Sequence, residues 1–187
     1  MPAEPAYVPP MPALMTADAL LHPDIPERAE LVRGVLVVRE PPGFNHGAIV
    51  VRLASLINEY VRSHNLGLVV AGDAGFHLAS DPDTVRGADV AFVRRDRVPD
   101  PAPVAFAGFA PDLAVEILSP SDRPGATLAK VADWLEGGTR LVWVIDPMRR
   151  IARIYHEDGT EDVIGERDAL DGGSVIPGFS CLLDSLF

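Results

Sequence analysis

The alternation of hydrophobic and polar positions along the chain predicts a domain that mixes helices and strands. Apolar residues recur at helical spacing across residues 46–64, after Asn45 as the predicted N-cap. A second helix is predicted across residues 124–135, because Pro124 suits the first helical turn and Gly137–Gly138 can end the helix.

Shorter segments predict the strands. Residues 30–42 alternate around Arg33–Gly34, which predicts two short strands or one bent hairpin. Residues 149–165 predict a C-terminal β-hairpin that turns at Asp158–Gly159. The remaining predicted strands lie at residues 68–71, 75–79, 87–95, 111–119 and 139–146. This order of elements predicts an α/β fold in which helices flank one mixed β-sheet.

Length and composition predict one soluble domain. The 187 residues, 48% of them hydrophobic, are enough for a single substantial core. Residues 1–15 are proline-rich and predict an extended or disordered arm, which leaves residues 16–187 as one domain. The single cysteine excludes an internal disulfide, and the sequence shows neither a signal segment nor a membrane span. We therefore expect a cytoplasmic protein without a membrane partner.

The charge of the chain restricts its partners. A net charge of −11 weighs against a protein that scans DNA, because phosphate contacts rely on lysine and arginine. The sequence still allows a local basic patch, since four arginines lie close together: Arg86, Arg94, Arg95 and Arg97.

Two acidic residues, Asp89 and Glu116, each stand between apolar neighbours inside a predicted strand. A carboxylate is costly to bury unless it is paired or binds a metal. Two of them on neighbouring strands can converge on one hard cation, and Mg²⁺ suits such a pair. Lys130, the only lysine, lies on the second predicted helix, and burial can tune its amine to activate or orient a water molecule. An ion pair between Glu116 and Lys130, or a surface position for Lys130, explains the same residues structurally.

Several segments together resemble a known family. ELVRG, NH, GADVAFV, APDLAVEILSPS and LVWVIDP occur in this order, with a lysine and a tryptophan between the last two. They resemble the Uma-two type, a large bacterial family usually described as restriction endonucleases within the PD-(D/E)XK nuclease superfamily, from about residue 30 to the C-terminus. The resemblance implies a restriction-endonuclease-like core. It also implies that Asp89 and Glu116 bind Mg²⁺, with Mn²⁺ as a substitute, and that Lys130 positions the attacking water or stabilises the transition state.

One position departs from the superfamily pattern in a way that affects the chemistry. Leu118 stands two residues after Glu116, where the pattern has a lysine. The resemblance therefore implies that Lys130 fills the same space from the helix. Asp112 begins the strand that carries Glu116, and we give it little catalytic weight.

Two further residues are candidates for the site. Glu30 opens the first hairpin and resembles an acidic residue of the family, which implies a further catalytic residue as a metal or water ligand. An exposed charge at a strand end explains Glu30 equally well. His46, near the start of the first helix, can contact a phosphate or support the site, or it can be an exposed side chain that bonds locally.

Two functions follow. The resemblance implies a Mg²⁺-dependent endonuclease that hydrolyses phosphodiester bonds in DNA. The alternative is a nuclease-fold protein with weak or lost catalysis that acts in nucleic-acid binding or protein assembly, which the acidic net charge favours. The apolar tail at residues 176–187 predicts a homodimer, unless it folds back onto its own core.

Overall fold

The computed structural model describes residues 14–26 and 28–187. The predicted arm lies outside the described residues except for Leu14 and Met15, and the Met15 N–H donates to the carbonyl oxygen of Gly34 at 2.8 Å. The helices described are α1 at Phe44–Ser63 and α2 at Pro124–Glu136, with 3-10 helices at Ala17–Leu21, Arg95–Arg97 and Leu183–Leu186. The strands described are β1 Ala29–Val32, β2 Val35–Val38, β3 Gly67–Ala79, β4 Thr84–Arg94, β5 Leu113–Ile117, β6 Leu141–Asp146, β7 Ile151–His156, β8 Glu161–Gly165, β9 Ala169–Asp171 and β10 Ser180–Leu182. In this part of the chain no helix is both long and apolar enough to cross a membrane.

The described residues form one mixed sheet of eight strands. The order is β2-β1-β4-β5-β6-β7-β8, and β3 also pairs with β4. β5 and β6 run parallel with α2 as their crossover, whereas the other neighbours in this sheet run antiparallel. β9 and β10 form a separate two-stranded sheet. The mixed sheet, its flanking helices and the hairpin of β7 and β8 confirm the predicted α/β fold.

The two helices cover opposite faces of the sheet. Because side chains alternate along a strand, Trp143 and Ile145 of β6 pack in the cluster under α1. Val142 and Val144 of the same strand pack in the other cluster, with the buried face of α2. The buried residues of α1 recur every four positions and form one stripe: Ile49, Leu53, Ile57 and Val61.

The predicted turns and the bounds of α2 are confirmed. Arg33 and Gly34 have φ values of 49° and 78°, the left-handed backbone that both central residues of a type I′ hairpin turn adopt. Gly159, between β7 and β8, has a φ of 82°. α2 begins at Pro124 and ends before Gly137, where the sequence places its limits.

The prediction of two short strands at residues 68–71 and 75–79 is wrong. The structure has one strand, β3, which pairs with β4 along its length. The pairing shifts between Ala71 and Ala74, and the residues between them have φ values of 82° and 59°. This bulge breaks the alternation of side chains without ending the strand, so the pattern resembled two segments.

The predicted start of α1 is also wrong. The helix begins at Phe44, and its N-cap is Gly43 rather than Asn45. No side chain caps the first turn, and the first buried residue of the helix is Ile49. The apolar period therefore carries no information about the first turn.

The apolar C-terminal tail folds back onto the core of its own chain. Phe179, Leu183 and Leu186 are buried in the cluster under α1, and Leu182 is 58% exposed. Arg52 of α1 donates to the carbonyl oxygen of Leu186 at 2.9 Å. The tail therefore does not offer the apolar surface on which the predicted homodimer was based, and the homodimer stays a prediction.

We predict that Leu183→Ala lowers the free energy of unfolding by about 2–5 kcal/mol, since it empties a fully buried site. Leu182→Ala is the matched control in the same tail, and we expect a change within about 0.5 kcal/mol. Urea unfolding of both variants measures this difference. Equal effects of the two substitutions would contradict the packing of the tail.

A buried network of charges joins the first hairpin to α2. Glu30 of β1 accepts a hydrogen bond from Arg86 of β4 at 2.8 Å, and Arg86 in turn donates to Asp133 of α2 at 2.8 Å through Nε. Glu30 also contacts Lys130 of α2 at 2.9 Å and Arg39 at 3.0 Å. Burial raises the pKa of Glu30, but these three cations outweigh it and lower the pKa to about 2.

The low pKa of Glu30 predicts a loss of stability in acid. Folding keeps Glu30 ionised down to about pH 2, whereas the unfolded chain protonates it near 4.5. Its stabilisation, on the order of 3 kcal/mol, is therefore complete above the unfolded pKa and disappears as the pH falls towards 2. We expect Glu30→Gln to lower the free energy of unfolding at pH 7 by more than at pH 3.

Urea unfolding of wild type and Glu30→Gln at both pH values measures the difference. Glu157→Gln, at a carboxylate that is 61% exposed, is the control and should show little effect at either pH. A Glu30→Gln effect of the same size at pH 7 and pH 3 would show that the charge of Glu30 does not stabilise the fold.

Candidate active site

A cleft of about 730 Å³ opens where the first turn of α1, the end of β5 and the start of α2 meet. Four of the predicted site residues line it: His46, Asp89, Glu116 and Lys130. Asp89 comes from β4, Glu116 from the adjacent β5, and Lys130 from α2. Glu30 does not line this cleft but contacts Lys130 from β1. The fold therefore brings together residues that lie up to 100 positions apart (30 to 130).

Lys130 is buried, with 5% of its surface exposed, although it belongs to a helix that faces solvent on one side. Its Nζ donates to Glu116 Oε2 at 2.7 Å and to the carbonyl oxygen of Gly87 at 2.7 Å, and it lies 2.9 Å from Glu30 Oε1. An ammonium has three protons, so these three acceptors use all of them. Burial lowers the pKa of Lys130, but the two carboxylates outweigh it and the net shift is upward.

Glu116 faces α2 because it alternates with the residues of β5 that pack under α1. Its Oε1 accepts a hydrogen bond from Trp134 Nε1 at 2.9 Å, while its Oε2 accepts one from Lys130. Burial raises the pKa of Glu116 strongly, Lys130 lowers it, and the like charge of Asp89 raises it again, to about 7. The cleft therefore holds two carboxylates close enough to repel each other.

Asp89 is held through one of its two oxygens. Oδ2 accepts the Ile117 N–H at 2.7 Å and lies 3.2 Å from His46 Nε2. Within the described residues Oδ1 makes no hydrogen bond, and Asp89 retains 9% exposure on the wall of the cleft. One carboxylate oxygen is thus free to bind a ligand in the cleft.

These residues fit a hard divalent cation that uses few protein ligands. The described residues contain no group of three or more histidines, cysteines and acids arranged around one point. Mg²⁺ does not require such a group, because it is commonly held by one or two carboxylates and keeps water and phosphate in its other positions. Asp89 Oδ1 is free, and a cation would relieve the repulsion that helps to raise the pKa of Glu116.

The carboxylate of Glu30, which contacts Lys130, is fully engaged. Oε1 of Glu30 contacts the ammonium of Lys130 and accepts a hydrogen bond from the Gly87 N–H. Oε2 accepts hydrogen bonds from Arg86 and Arg39. Four donors use the acceptor capacity of the carboxylate. Glu30 is therefore neither an exposed strand-end charge nor, in this arrangement, a carboxylate with an oxygen to spare.

Asp112 lies just before β5, where we expected a residue without a catalytic role. Its side chain accepts the Arg94 N–H at 2.9 Å and pairs with Arg97 at 2.8 Å. It does not line the cleft. Three of the four arginines of the possible basic patch are engaged within the chain, because Arg97 pairs with Asp112, Arg94 pairs with Asp96, and Arg86 is buried.

Sequence reasoning did not find three residues that support the site: Arg39, Arg86 and Trp134. Trp134 is the tryptophan of the family resemblance, but its hydrogen bond to Glu116 depends on how α2 docks on the sheet. Arg86 gave a usable signal. An arginine in the interior of a buried strand needs a buried acidic partner, by the same argument that singled out Asp89 and Glu116.

The comparisons with known proteins agree with this architecture. A crystal structure described as a putative nuclease belonging to DUF820, from Anabaena variabilis, is similar to this chain with a TM-score of 0.81. Its sequence identity is 23%, and the match covers 92% of this chain and 97% of that one, so the likeness is one of fold. No curated protein gives a significant match. A family model described as "Uma2: Putative restriction endonuclease" matches residues 19–184, and the chain therefore belongs to the Uma2 family.

Proposed function

We propose that this protein is a metal-dependent endonuclease that hydrolyses phosphodiester bonds in DNA. The observation that carries the proposal is the meeting of Asp89, Glu116 and a buried Lys130 in one cleft. The description of the family and the description of the similar structure from Anabaena variabilis support a nuclease. We further propose that the protein acts in the cytoplasm.

Asp89 and Glu116 would hold the cation, with Mg²⁺ as the expected ion and Mn²⁺ as a substitute. When bound, such an ion lowers the pKa of a coordinated water and offsets negative charge on the phosphate. Both carboxylates supply the hard oxygen ligands that Mg²⁺ prefers, and both are buried on the wall of the cleft.

Lys130 supplies the cationic group for the phosphate or the attacking water. All three of its protons are used, so it must release one acceptor before it can donate to a substrate. Glu30 is fixed by four donors and Gly87 offers a backbone carbonyl, whereas Glu116 is a proposed metal ligand. We propose that Lys130 gives up Glu116, and that Glu30 is a positioning residue that retains the ammonium near the phosphate.

The start of each α-helix supports a polyanionic substrate. Gly43 and Arg123 are the N-caps of α1 and α2, and both line the cleft. Neither first turn contains an acidic residue, and neither N-cap bonds through its side chain. The free N–H groups and the positive ends of the two helix dipoles therefore offset part of the net charge of −11 where DNA would bind.

A second candidate is a nuclease-fold protein that binds nucleic acid or a partner without efficient catalysis. The net charge and the pairing of Arg94 and Arg97 within the chain favour it, because they leave few cations for phosphate contacts. Binding of a nucleic acid without cleavage, across several divalent metals and across duplex DNA, single-stranded DNA and RNA, would select this candidate.

We predict that Glu116→Gln and Asp89→Asn remove both metal binding and cleavage while the chain stays folded. The amide keeps the shape of the carboxylate but loses the charge that binds the cation. The double variant should be no worse than either single variant, since both act on the same ion. Plasmid nicking and calorimetric titration with Mn²⁺ measure the two effects.

The control is Glu40→Gln, at an exposed carboxylate on the rim of the same cleft, which should bind metal and cleave like the wild type. Thermal unfolding of each variant separates a folding defect from a site defect. A folded Glu116→Gln protein that still cleaves at the wild-type rate would contradict the proposed role of Glu116.

We predict that Lys130→Ala abolishes cleavage without weakening Mn²⁺ binding, because the ammonium competes with the cation for Glu116. Lys130→Arg should not restore cleavage, since a planar guanidinium cannot place three donors tetrahedrally among Glu116, Glu30 and the Gly87 carbonyl. Cleavage rates and calorimetry on the two variants test this. Full activity in either variant would assign Lys130 to a structural role.

A further inference from the structure

We infer that His46 is a positioning residue that orients the carboxylate of Asp89 for cation binding. The inference deepens the proposed function and rests on it, because it concerns the same cation site. His46 lies in the first turn of α1, a helix whose buried stripe packs on the opposite face of the sheet from α2. The cation site would thus be supported from both faces of the sheet.

The contacts of Asp89 define what His46 does. Oδ2 receives the Ile117 N–H at 2.7 Å from β5 and lies 3.2 Å from His46 Nε2. Both contacts reach the same oxygen, and they come from two different elements, β5 and α1. Together they hold Oδ2 in place and so restrict rotation of the carboxylate about its Cβ–Cγ bond, while Oδ1 makes no hydrogen bond within the described residues.

The protonation of the imidazole is restricted by this contact. A carboxylate oxygen only accepts, so Nε2 must carry hydrogen, whether the ring is neutral or protonated. Nδ1 is buried and has no hydrogen-bond partner within the described residues. The contact with Asp89 is therefore the one polar interaction that the ring makes in this part of the chain.

The burial of the ring argues for a role at the site. The side chain is only 10% exposed, and one of its nitrogens gives up water without gaining a partner. An apolar side chain of similar size would avoid that cost. A buried polar group without a partner calls for an explanation, and a role in holding Asp89 supplies one for His46.

Groups that hydrogen-bond to metal ligands set the orientation of those ligands. Their removal typically weakens metal binding by about 10- to 100-fold. His46 stands in that relation to Asp89, and its contact with Oδ2 leaves Oδ1 unused. Loss of His46 should therefore weaken cation binding rather than abolish it, in contrast to loss of Asp89 itself.

The test compares Mn²⁺ affinity by calorimetry in wild type, His46→Gln and His46→Asn. The glutamine amide reaches about as far as Nε2, so His46→Gln should bind Mn²⁺ within about threefold of wild type. The asparagine amide is one methylene shorter and does not reach Asp89, so His46→Asn should bind about 10- to 100-fold more weakly. His64→Gln, at an exposed histidine at the other end of α1, is the control and should match the wild type.

Both His46 variants place an amide in the same pocket, so we expect similar stability in thermal unfolding. A difference in Mn²⁺ affinity between them then shows whether the amide has to reach Asp89. If His46→Asn binds Mn²⁺ as tightly as His46→Gln, His46 is a structural residue and the inference is overturned. If the wild type itself binds no Mn²⁺, the proposed function fails together with the inference. The wild-type titration therefore distinguishes the two failures.

Discussion

The ammonium of Lys130 is a full charge buried between α2 and the sheet, and the structure of the site depends on how that charge is satisfied. An unpaired buried ammonium would cost several kcal/mol. Its three acceptors come from three strands: Glu30 from β1, Gly87 from β4 and Glu116 from β5. A single side chain of α2 thereby fixes the helix to the centre of the sheet. The tetrahedral arrangement of donors suits lysine and not arginine, which explains why the only lysine occurs here.

The network around Glu30 closes this arrangement into a loop. α2 carries both Lys130 and Asp133, three residues apart on one face of the helix. Lys130 contacts Glu30 directly, and Asp133 reaches it through Arg86. Two side chains of the helix therefore connect it to Glu30 of β1: the positively charged Lys130 directly, and the negatively charged Asp133 through Arg86. Such a framework holds the lysine on the wall of the cleft, in contact with Glu116.

The sequence predicted the fold better than the supporting contacts. The turns at Arg33–Gly34 and Asp158–Gly159 are present as predicted, because glycine readily adopts the left-handed backbone that these turns require. β3 was divided wrongly, since its continuity depends on pairing with β4 across a bulge. Local pattern does not report on such pairing.

The same limit applies to the site. Asp89 and Glu116 were identified because a carboxylate within an apolar strand is costly to bury unless it is paired or binds a metal. The structure brings both to one cleft with Lys130. The role of Glu30 stayed open in the sequence, because its partners Arg39 and Arg86 approach from separate elements. His46 was a candidate with an exposed surface position as the alternative, and its burial against Asp89 depends on the packing of α1.

A crystal structure of the protein with Mn²⁺, with the ion located by its anomalous scattering, is the decisive test of the proposed cation site. We predict one Mn²⁺ between Asp89 and Glu116, with Lys130 Nζ withdrawn from Glu116 and still in contact with Glu30. An ion bound elsewhere, or no ion together with an intact contact between Lys130 and Glu116 at saturating Mn²⁺, would contradict it.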